Sequence, residues 1–328
     1  MDWFEQLFGF VEGDHESVRE LLEVRGNRLY SRANDRSCGI GRLETPSLGE
    51  LRARATGSET DAPVRVSNVI GDAGQLHADA ASAGSLFQVA SQFNLLEMIG
   101  PGRVPEDGVT GYANDPTQGP ACAIAAGAGT VYRNYFVPVG SRQGQSADHQ
   151  IDCLRDVHDH LSPDGEPLWE MRNGYALCSG EGLEKINRHL SSVDENGRDE
   201  LRIRLRIGLH WNVQVTQPDP VHEVSQAYCS ALPVAYSALP SADWEPFART
   251  LLEASYEACL LAAHENMART GNSVAYLTMV GGGAFGNEAD WIIDAIRRAI
   301  DLLPGTGLDV RIVHHREVHQ ACIGLERG

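Results

Sequence analysis

The stretch "VAYLTMVGGGAFGNEADWIIDAI", residues 274–296, decides how the rest of the chain is read. An apolar, β-branched run ends at three consecutive glycines, and an amphipathic pattern starts just beyond them. A strand that stops at glycines and turns into a helix presents outward-pointing amides at the helix N-terminus, where the aligned peptide dipoles favour an anion. Missing Cβ atoms let phosphate oxygens approach the backbone closely. Gly281, Gly282 and Gly283 fit that use, followed by Ala284, Phe285, Gly286 and Asn287. The loop lacks the Lys-Ser/Thr ending of a Walker A loop, and it is not a GxGxxG with a following ribose-binding acid. A tight strand-to-helix turn packed against a neighbour is the plainer reading of the same glycines.

The flanking sequence continues the pattern. Upstream, Phe247, Leu252, Tyr256, Cys259, Leu260, Ala263 and Met267 recur at three- and four-residue steps and predict a long helix. Downstream, Ile292, Ile296, Ala299, Ile300 and Leu303 predict another, and "LDVRIVHH" (308–315) a last strand. Helix–strand–helix–strand alternation implies a right-handed α/β unit with parallel pairing. Strands are also expected over 64–72, 85–94, 201–215 and within 222–236. The turn-rich loop 97–120 leads into a small-residue helix at 120–132, with Pro120 at its start. Residues 1–60 read as an N-terminal extension with short helices over 14–24 and 45–55. "SETDAP" (58–63) reads as a polar linker, and 136–200 as an insertion with helices at 147–161 and 181–192.

Composition narrows the function classes. The chain has 328 residues and 42% hydrophobic content, enough for a sizeable core. Its net charge of −18, from 27 basic and 45 acidic residues, argues against a duplex nucleic acid or an anionic membrane as partner. An anionic ligand must then be held locally, by backbone amides and a few side chains. No apolar run approaches the roughly 18 residues of a spanning helix, and the acidic start "MDWFEQLFGF" is not that of a signal peptide. Seven widely spaced cysteines without a CxxC suggest free thiols in a cytoplasmic protein.

In serial order, four stretches resemble the macro domain superfamily of ADP-ribose binders and ADP-ribosyl hydrolases. They are "VIGDAGQL" (69–76), "FQVASQFNLLEM" (87–98), "TQGPACAIAAGAG" (117–129) and "NSVAYLTMVGGGAFGN" (272–287). They parallel that family's "GDI"-like turn, its asparagine-rich "NAAN" strand end, its first Gly-rich loop into a helix, and its "STGxxG" loop. The resemblance covers about 64–135 and 200–315. It implies a three-layer α/β/α sandwich with a mixed, mostly parallel sheet over 61–328, elaborated by the 1–60 extension and the 136–200 insertion.

The resemblance also implies residue roles. Asp72 matches the carboxylate that meets the adenine amino group, and Asn94 the asparagine that addresses the distal ribose. Gly281 to Gly286 match the diphosphate loop, with Asn287 closing it. Phe285 falls where an aromatic ring lines the ribose or adenine pocket, and Gln118 and Gly119 open the second anion-binding helix terminus. The implied ligand is ADP-ribose, or an ADP-ribosylated or NAD-derived relative, with no cofactor and no metal.

Hydrolytic members carry a glycine triplet after the asparagine; here it is "GPG", and some 20 residues intervene before the helix. Glycosidic cleavage needs a group that manages water and stabilises an oxocarbenium-like state. The acidic candidates are Glu97, Glu106, Asp107 and Asp115, with Asp115 first, because it precedes the helix, and Glu97 second. A non-catalytic ADP-ribose or nucleotide-signal binding module is the alternative. Cys122, in the first turn of the same helix, would serve a thiol hydrolase, although no histidine lies in its loop. His149 with Cys153 and Asp156 with His160 have i,i+4 spacing that can bind zinc, as charged helix faces often do.

Overall fold

A computed structural model describes residues 1–55, 62–219 and 221–328. Residues 58–61 of the expected linker lie outside the described residues. The central sheet has seven strands: β1 (Arg42–Glu44), β2 (Arg65–Ile70), β3 (Leu86–Ala90), β4 (Gly208–Gln214), β5 (Glu223–Cys229), β6 (Val274–Leu277) and β7 (Asp309–His314). Their spatial order is β1-β4-β5-β3-β6-β7-β2. Five of them, from β5 to β2, run parallel. β4 runs antiparallel to both of its neighbours. The sheet is mixed and mostly parallel, as the alternation of elements implies.

Helices α1 (Ala73–Ala78), α2 (Gln118–Ala125) and α3 (Gly127–Tyr135) cover one face. There the His77 ring stacks on Phe87 at 3.7 Å, and Phe87 stacks on Tyr276 at 4.4 Å. The other face is covered by α4 (Ser241–Thr270) and α5 (Ala289–Asp301), which pack on each other. α4 buries residues around much of its circumference, because the sheet lies under it and outer helices lie over it. α5 buries Trp291, Ile292, Ile293, Ala295, Ile296, Ala299 and Ile300, a single apolar stripe with Arg297 and Asp294 outside.

This arrangement creates the site. β3 and β6 are neighbours, but the chain leaves β3 toward α2 on one face and leaves β6 toward α5 on the other. Such divergence opens a crevice at the carboxyl ends of parallel strands. β3 and β6 pair only through Leu86–Ala275 and Phe87–Tyr276. Beyond that they splay, and the Gln88 side chain bridges the gap by accepting the Thr278 amide at 3.1 Å.

Several expectations are corrected. Residues 1–60 are not a simple extension: β1 is the edge strand of the main sheet, and Leu48–Ala55 packs on α4. Trp3, Phe4, Leu7 and Phe8 share a second core with Leu96, Tyr112, Val131 and Tyr135. The helix expected over 14–24 covers His15–Leu21; from Leu22 the backbone is extended and pairs with Arg28–Ser31. The strand expected over 201–215 starts at Gly208, because Leu201 and Arg202 end a helix from Glu195. That helix is held by Arg202 pairing with Glu195 and Glu253, both at 2.7 Å.

The insertion is helical over Arg155–Leu161, not from 147, and over Gly180–Ser192 as expected. It also contains a hairpin, Trp169–Arg172 with Tyr175–Cys178. Asn173 and Gly174 turn that hairpin with φ of 48° and 80°, the two positive values of a type I′ turn.

Candidate active site

A cleft of about 360 Å³ opens at the carboxyl ends of β3, β6 and β7. One wall is the entry to α2, Pro116 to Pro120; the other is the glycine loop, Gly281, Gly283, Ala284 and Phe285. The two turns, more than 150 residues apart in sequence, therefore face a common space. No side chain caps the first turn of α2 or of α5. Among the described residues, the amides of Gln118, Gly119, Gly281, Gly283, Ala284 and Phe285 find no acceptor within the protein. All six belong to residues that line the cleft. That is the local supply of donors an anion needs in a chain of charge −18.

The glycines divide their labour. Gly281 has φ +79°, and a Cβ there would collide with Ala231; Gly286 has φ +72°, and a Cβ would press on Ala235 at 2.8 Å. Both are required by the turn itself. Gly283 would meet nothing within 4 Å, so its bareness leaves the cleft open rather than relieving a clash. Gly119 lets α2 lie against the end of β3, where a Cβ would overlap the Ala90 carbonyl.

Glu97 forms part of the cleft lining and is 2% exposed. Neither carboxylate oxygen has a hydrogen-bond partner among the described residues. Arg133 Nη2 lies 3.6 Å from Oε2, an ion pair longer than a hydrogen bond. Burial pushes the Glu97 carboxyl up from 4.5 to about 8, against the opposing pull of Arg133. A carboxylic acid that keeps its proton near neutral pH and has no internal hydrogen-bond partner is a candidate proton donor for a molecule that reaches its buried oxygens.

The loop carrying it is clamped. The Gln92 side chain pairs with the backbone of Met98, accepting its amide at 2.8 Å and donating to its carbonyl at 3.2 Å. Leu95 takes φ +65° between them. The Tyr175 hydroxyl, from the insertion hairpin, donates to the Met98 carbonyl at 2.8 Å. Farther along, the Glu12 carboxylate accepts the Val109 and Thr110 amides and the Tyr135 hydroxyl. The long loop is thus tied by the N-terminal segment and by the mid-chain insertion.

Other expected residues stand elsewhere. Asn94 does not line the cleft: it is fully buried, donates to Gln150 Oε1 at 2.8 Å and accepts the Leu96 amide at 3.1 Å. Its carboxamide is spent on joining the loop to the insertion. Asp72 caps α1 through the Gln75 amide at 3.0 Å and lies outside the cleft lining. Asp115 accepts the Thr117 amide at 2.9 Å, an Asx turn leading into α2, and it too is off the lining. Asn287 donates to the Leu232 carbonyl at 2.8 Å and staples the glycine loop from behind. Gly282 abuts Ile292 instead of the cleft. Glu106 is taken by the Ala147 amide and Asp107 by the Val104 amide.

Gln118, Gly119 and Phe285 stand on the lining as expected. Gln118 accepts the Ala73 amide at 3.0 Å and donates to His315 Nδ1 at 3.1 Å, which fixes its orientation. Phe285 packs at 5.2 Å from Tyr175 and 5.7 Å from Tyr236.

Sequence reasoning missed Arg133, Thr278, His314, His315 and Glu317. Thr278 lines the cleft with a buried hydroxyl that has no hydrogen-bond partner among the described residues. A lone arginine among small residues in "GAGTVYRNY" was the available signal for Arg133. Cys122 is buried on the inner side of α2, and burial pushes its thiol well up, which removes it as a nucleophile. The zinc-type spacings do not converge. His149 bonds the Val139 carbonyl, Cys153 is buried in the core, and Asp156 pairs with Arg206 at 2.7 Å.

No family model and no curated protein matches the chain. Among solved structures, poly(ADP-ribose) glycohydrolase from Thermomonospora curvata is 13% identical with a TM-score of 0.46, covering 92% of this chain and 91% of that one. The same enzyme bound to the inhibitor ADP-HPD is 12% identical with a TM-score of 0.44, covering 94% of each chain. Poly(ADP-ribose) glycohydrolase from Deinococcus radiodurans in complex with ADP-ribose is 13% identical with a TM-score of 0.43, covering 86% and 89%. These likenesses are distant in both sequence and shape.

Proposed function

We propose that the chain binds ADP-ribose, or an ADP-ribosylated or NAD-derived nucleotide, in this cleft and hydrolyses the glycosidic bond at the distal ribose. The observation that carries the catalytic reading is Glu97, a buried acid with no hydrogen-bond partner among the described residues, on the lining shared with two turns rich in free amides. The macro-like order of motifs supports the nucleotide class, and the amides of α2 and the glycine loop would hold its diphosphate.

Glu97 is then the proton donor. As the C1–O bond breaks, its proton passes to the leaving oxygen, and positive charge develops at C1 and the ring oxygen. Water adds to C1 and returns a proton to the carboxylate, so the acid is regenerated and one water is consumed. Asn94, Asp115 and Asp72 hold the surrounding backbone in this reading, and Gln118, Gly119, Gly281, Gly283, Ala284 and Phe285 meet the ligand. The seven cysteines are all unpaired, which supports a place in a reducing compartment.

A specific observation favours the non-catalytic module as the second reading. Glu97 is the buried carboxyl of the cleft, whereas the other lining acid, Glu317, is exposed. Release of ADP-ribose from ADP-ribosylated protein and from NAD, measured with the wild type and Glu97→Gln, separates the two. Turnover that Glu97→Gln abolishes, falling above about pH 8 as the donor loses its proton, supports the hydrolase. Calorimetric ADP-ribose binding without turnover leaves the module, and absence of both ends the nucleotide reading.

A further inference from the structure

We propose that Arg133 is a positioning residue for Glu97, its guanidinium held by neutral groups so that its charge serves the carboxyl and stabilises it once the proton has left. The inference rests on the reading of Glu97 as the acid of the cleft. Arg133 is fully buried. Nε donates to the Leu95 carbonyl at 3.0 Å, Nη2 to Thr130 Oγ1 at 3.1 Å, and Nη1 to His210 Nδ1 at 3.3 Å. The Tyr228 ring lies 3.8 Å from its central carbon. None of these partners is an anion.

His210 matters because it could have been one more charge. Its Nδ1 accepts from Arg133, so its proton sits on Nε2, which donates to the Ile40 carbonyl. Burial, with Arg133 beside it, pushes His210 down to about 3, so the imidazole stays neutral. Among the described residues, Glu97 is the carboxylate that pairs with Arg133.

The other titratable groups that face Glu97 are Tyr112 from the 110–114 turn, Cys122 from α2 and Tyr228 from β5. Each is pushed up by burial, and none is charged near neutral pH. The Tyr112 hydroxyl accepts the Glu97 amide at 3.2 Å. Arg133 is therefore the charged group that favours ionisation of Glu97 against its burial. Its bond to the Leu95 carbonyl also holds the left-handed residue two positions before Glu97, coupling charge to placement. At 3.6 Å the pair stabilises the carboxylate without a hydrogen bond to its buried oxygens.

The test needs no substrate. In protein carrying 13C-carboxyl glutamate, the Glu97 resonance is the one that Glu97→Gln removes, and its titration is followed in wild type, Arg133→Met and Arg133→Lys. Loss of an opposite charge at this distance is expected to raise the midpoint by about 1 to 3 pH units in Arg133→Met. Arg133→Lys, which keeps the charge without the fork, is expected to restore part of that rise. An unchanged midpoint in Arg133→Met overturns the proposal, because a scaffold role alone would alter melting and not this titration. Should Arg133→Met fail to fold, the wild type still decides. The Arg133 Nε and Cζ resonances must move with the Glu97 midpoint, and a flat trace overturns the proposal. An enzyme that turns nothing over but shows these shifts would refute the hydrolase and leave the pair standing.

Discussion

Replacing Glu97 by Gln keeps the shape of a buried side chain and removes its titration, so the pH dependence of stability isolates one group. The folded pKa of Glu97 lies near 8 against an ordinary 4.5. A carboxyl raised in this way contributes stability that is fully present below the unfolded value and is lost as the pH rises through the folded one. The gap is about 3.5 pH units, and at about 1.36 kcal/mol per unit the full change is about 5 kcal/mol. Two buried histidines act in the opposite sense. His77 and His210 are pushed down to about 4 and about 3, so their contribution is present above about 6.5 and lost on acidification.

Those terms are common to wild type and variant and cancel in the difference. Urea unfolding followed by tryptophan fluorescence gives ΔG for both proteins between about pH 5.5 and pH 8.5. The wild type is expected to lose about 1.4 kcal/mol per pH unit relative to Glu97→Gln up to about pH 8, about 3 kcal/mol over the range, and then to level off. A difference that stays constant to within about 0.5 kcal/mol would show that Glu97 titrates alike in folded and unfolded chains. The acid would then be an ordinary one, and the catalytic reading would fail with it.

Four further outcomes test the surrounding site. Gly281→Ala, at φ +79° and against Ala231, is expected to cost about 1–3 kcal/mol in chemical denaturation. Gly283→Ala, with open space, should melt like the wild type yet weaken ADP-ribose at least about tenfold in calorimetry, since a methyl would stand where the diphosphate is held. Equal affinity would place the ligand elsewhere. Iodoacetamide under native conditions should leave Cys122 unlabelled and turnover unchanged, because burial raises that thiol; inactivation tracking Cys122 by mass spectrometry would revive a thiol mechanism. Glu12→Gln should lower stability by about 1–3 kcal/mol and speed exchange of the Val109 and Thr110 amides, and unchanged exchange would mean that the loop is held without it.

The parts of the fold visible in the sequence are those written in period. α5 carries one apolar stripe and the strands on either side of it short, largely apolar runs, so local pattern and burial agree. The glycine loop was legible for the same reason: only a special backbone conformation calls for Gly281 and Gly286 at once. Asn173-Gly174, a hairpin turn in plain sight, went unused because the insertion was read as helical. Residues 201–207 failed for a different cause. Alternation there is real, but Arg202 is drawn into the Glu195 and Glu253 pairs, a tertiary effect that a window of sequence does not contain.

The site was legible by position and not by orientation. Asn94 and Glu97 are three residues apart, and a motif places both beside the cleft. Which one faces it depends on Leu95, whose positive φ turns Asn94 toward the insertion while Glu97 joins the cleft lining. That turn is stabilised by Gln92, Tyr175 and Arg133, from three separate parts of the chain. The hairpin at 169–178 supports the loop through Tyr175, and the Asn94 carboxamide is spent on Gln150.

Charge completes the argument. The cleft lining holds Glu97, Glu317, His314 and His315, and no lysine or arginine is among its described residues. In a chain of charge −18 an ionised Glu97 would repel a diphosphate in the cleft. In the proposed reading, burial that keeps Glu97 protonated would serve binding as well as chemistry: the same neutral carboxyl would admit the anion and then have a proton to give. Arg133, behind the carboxyl and off the lining, can favour the ionised product without drawing the phosphates out of their amide cradle.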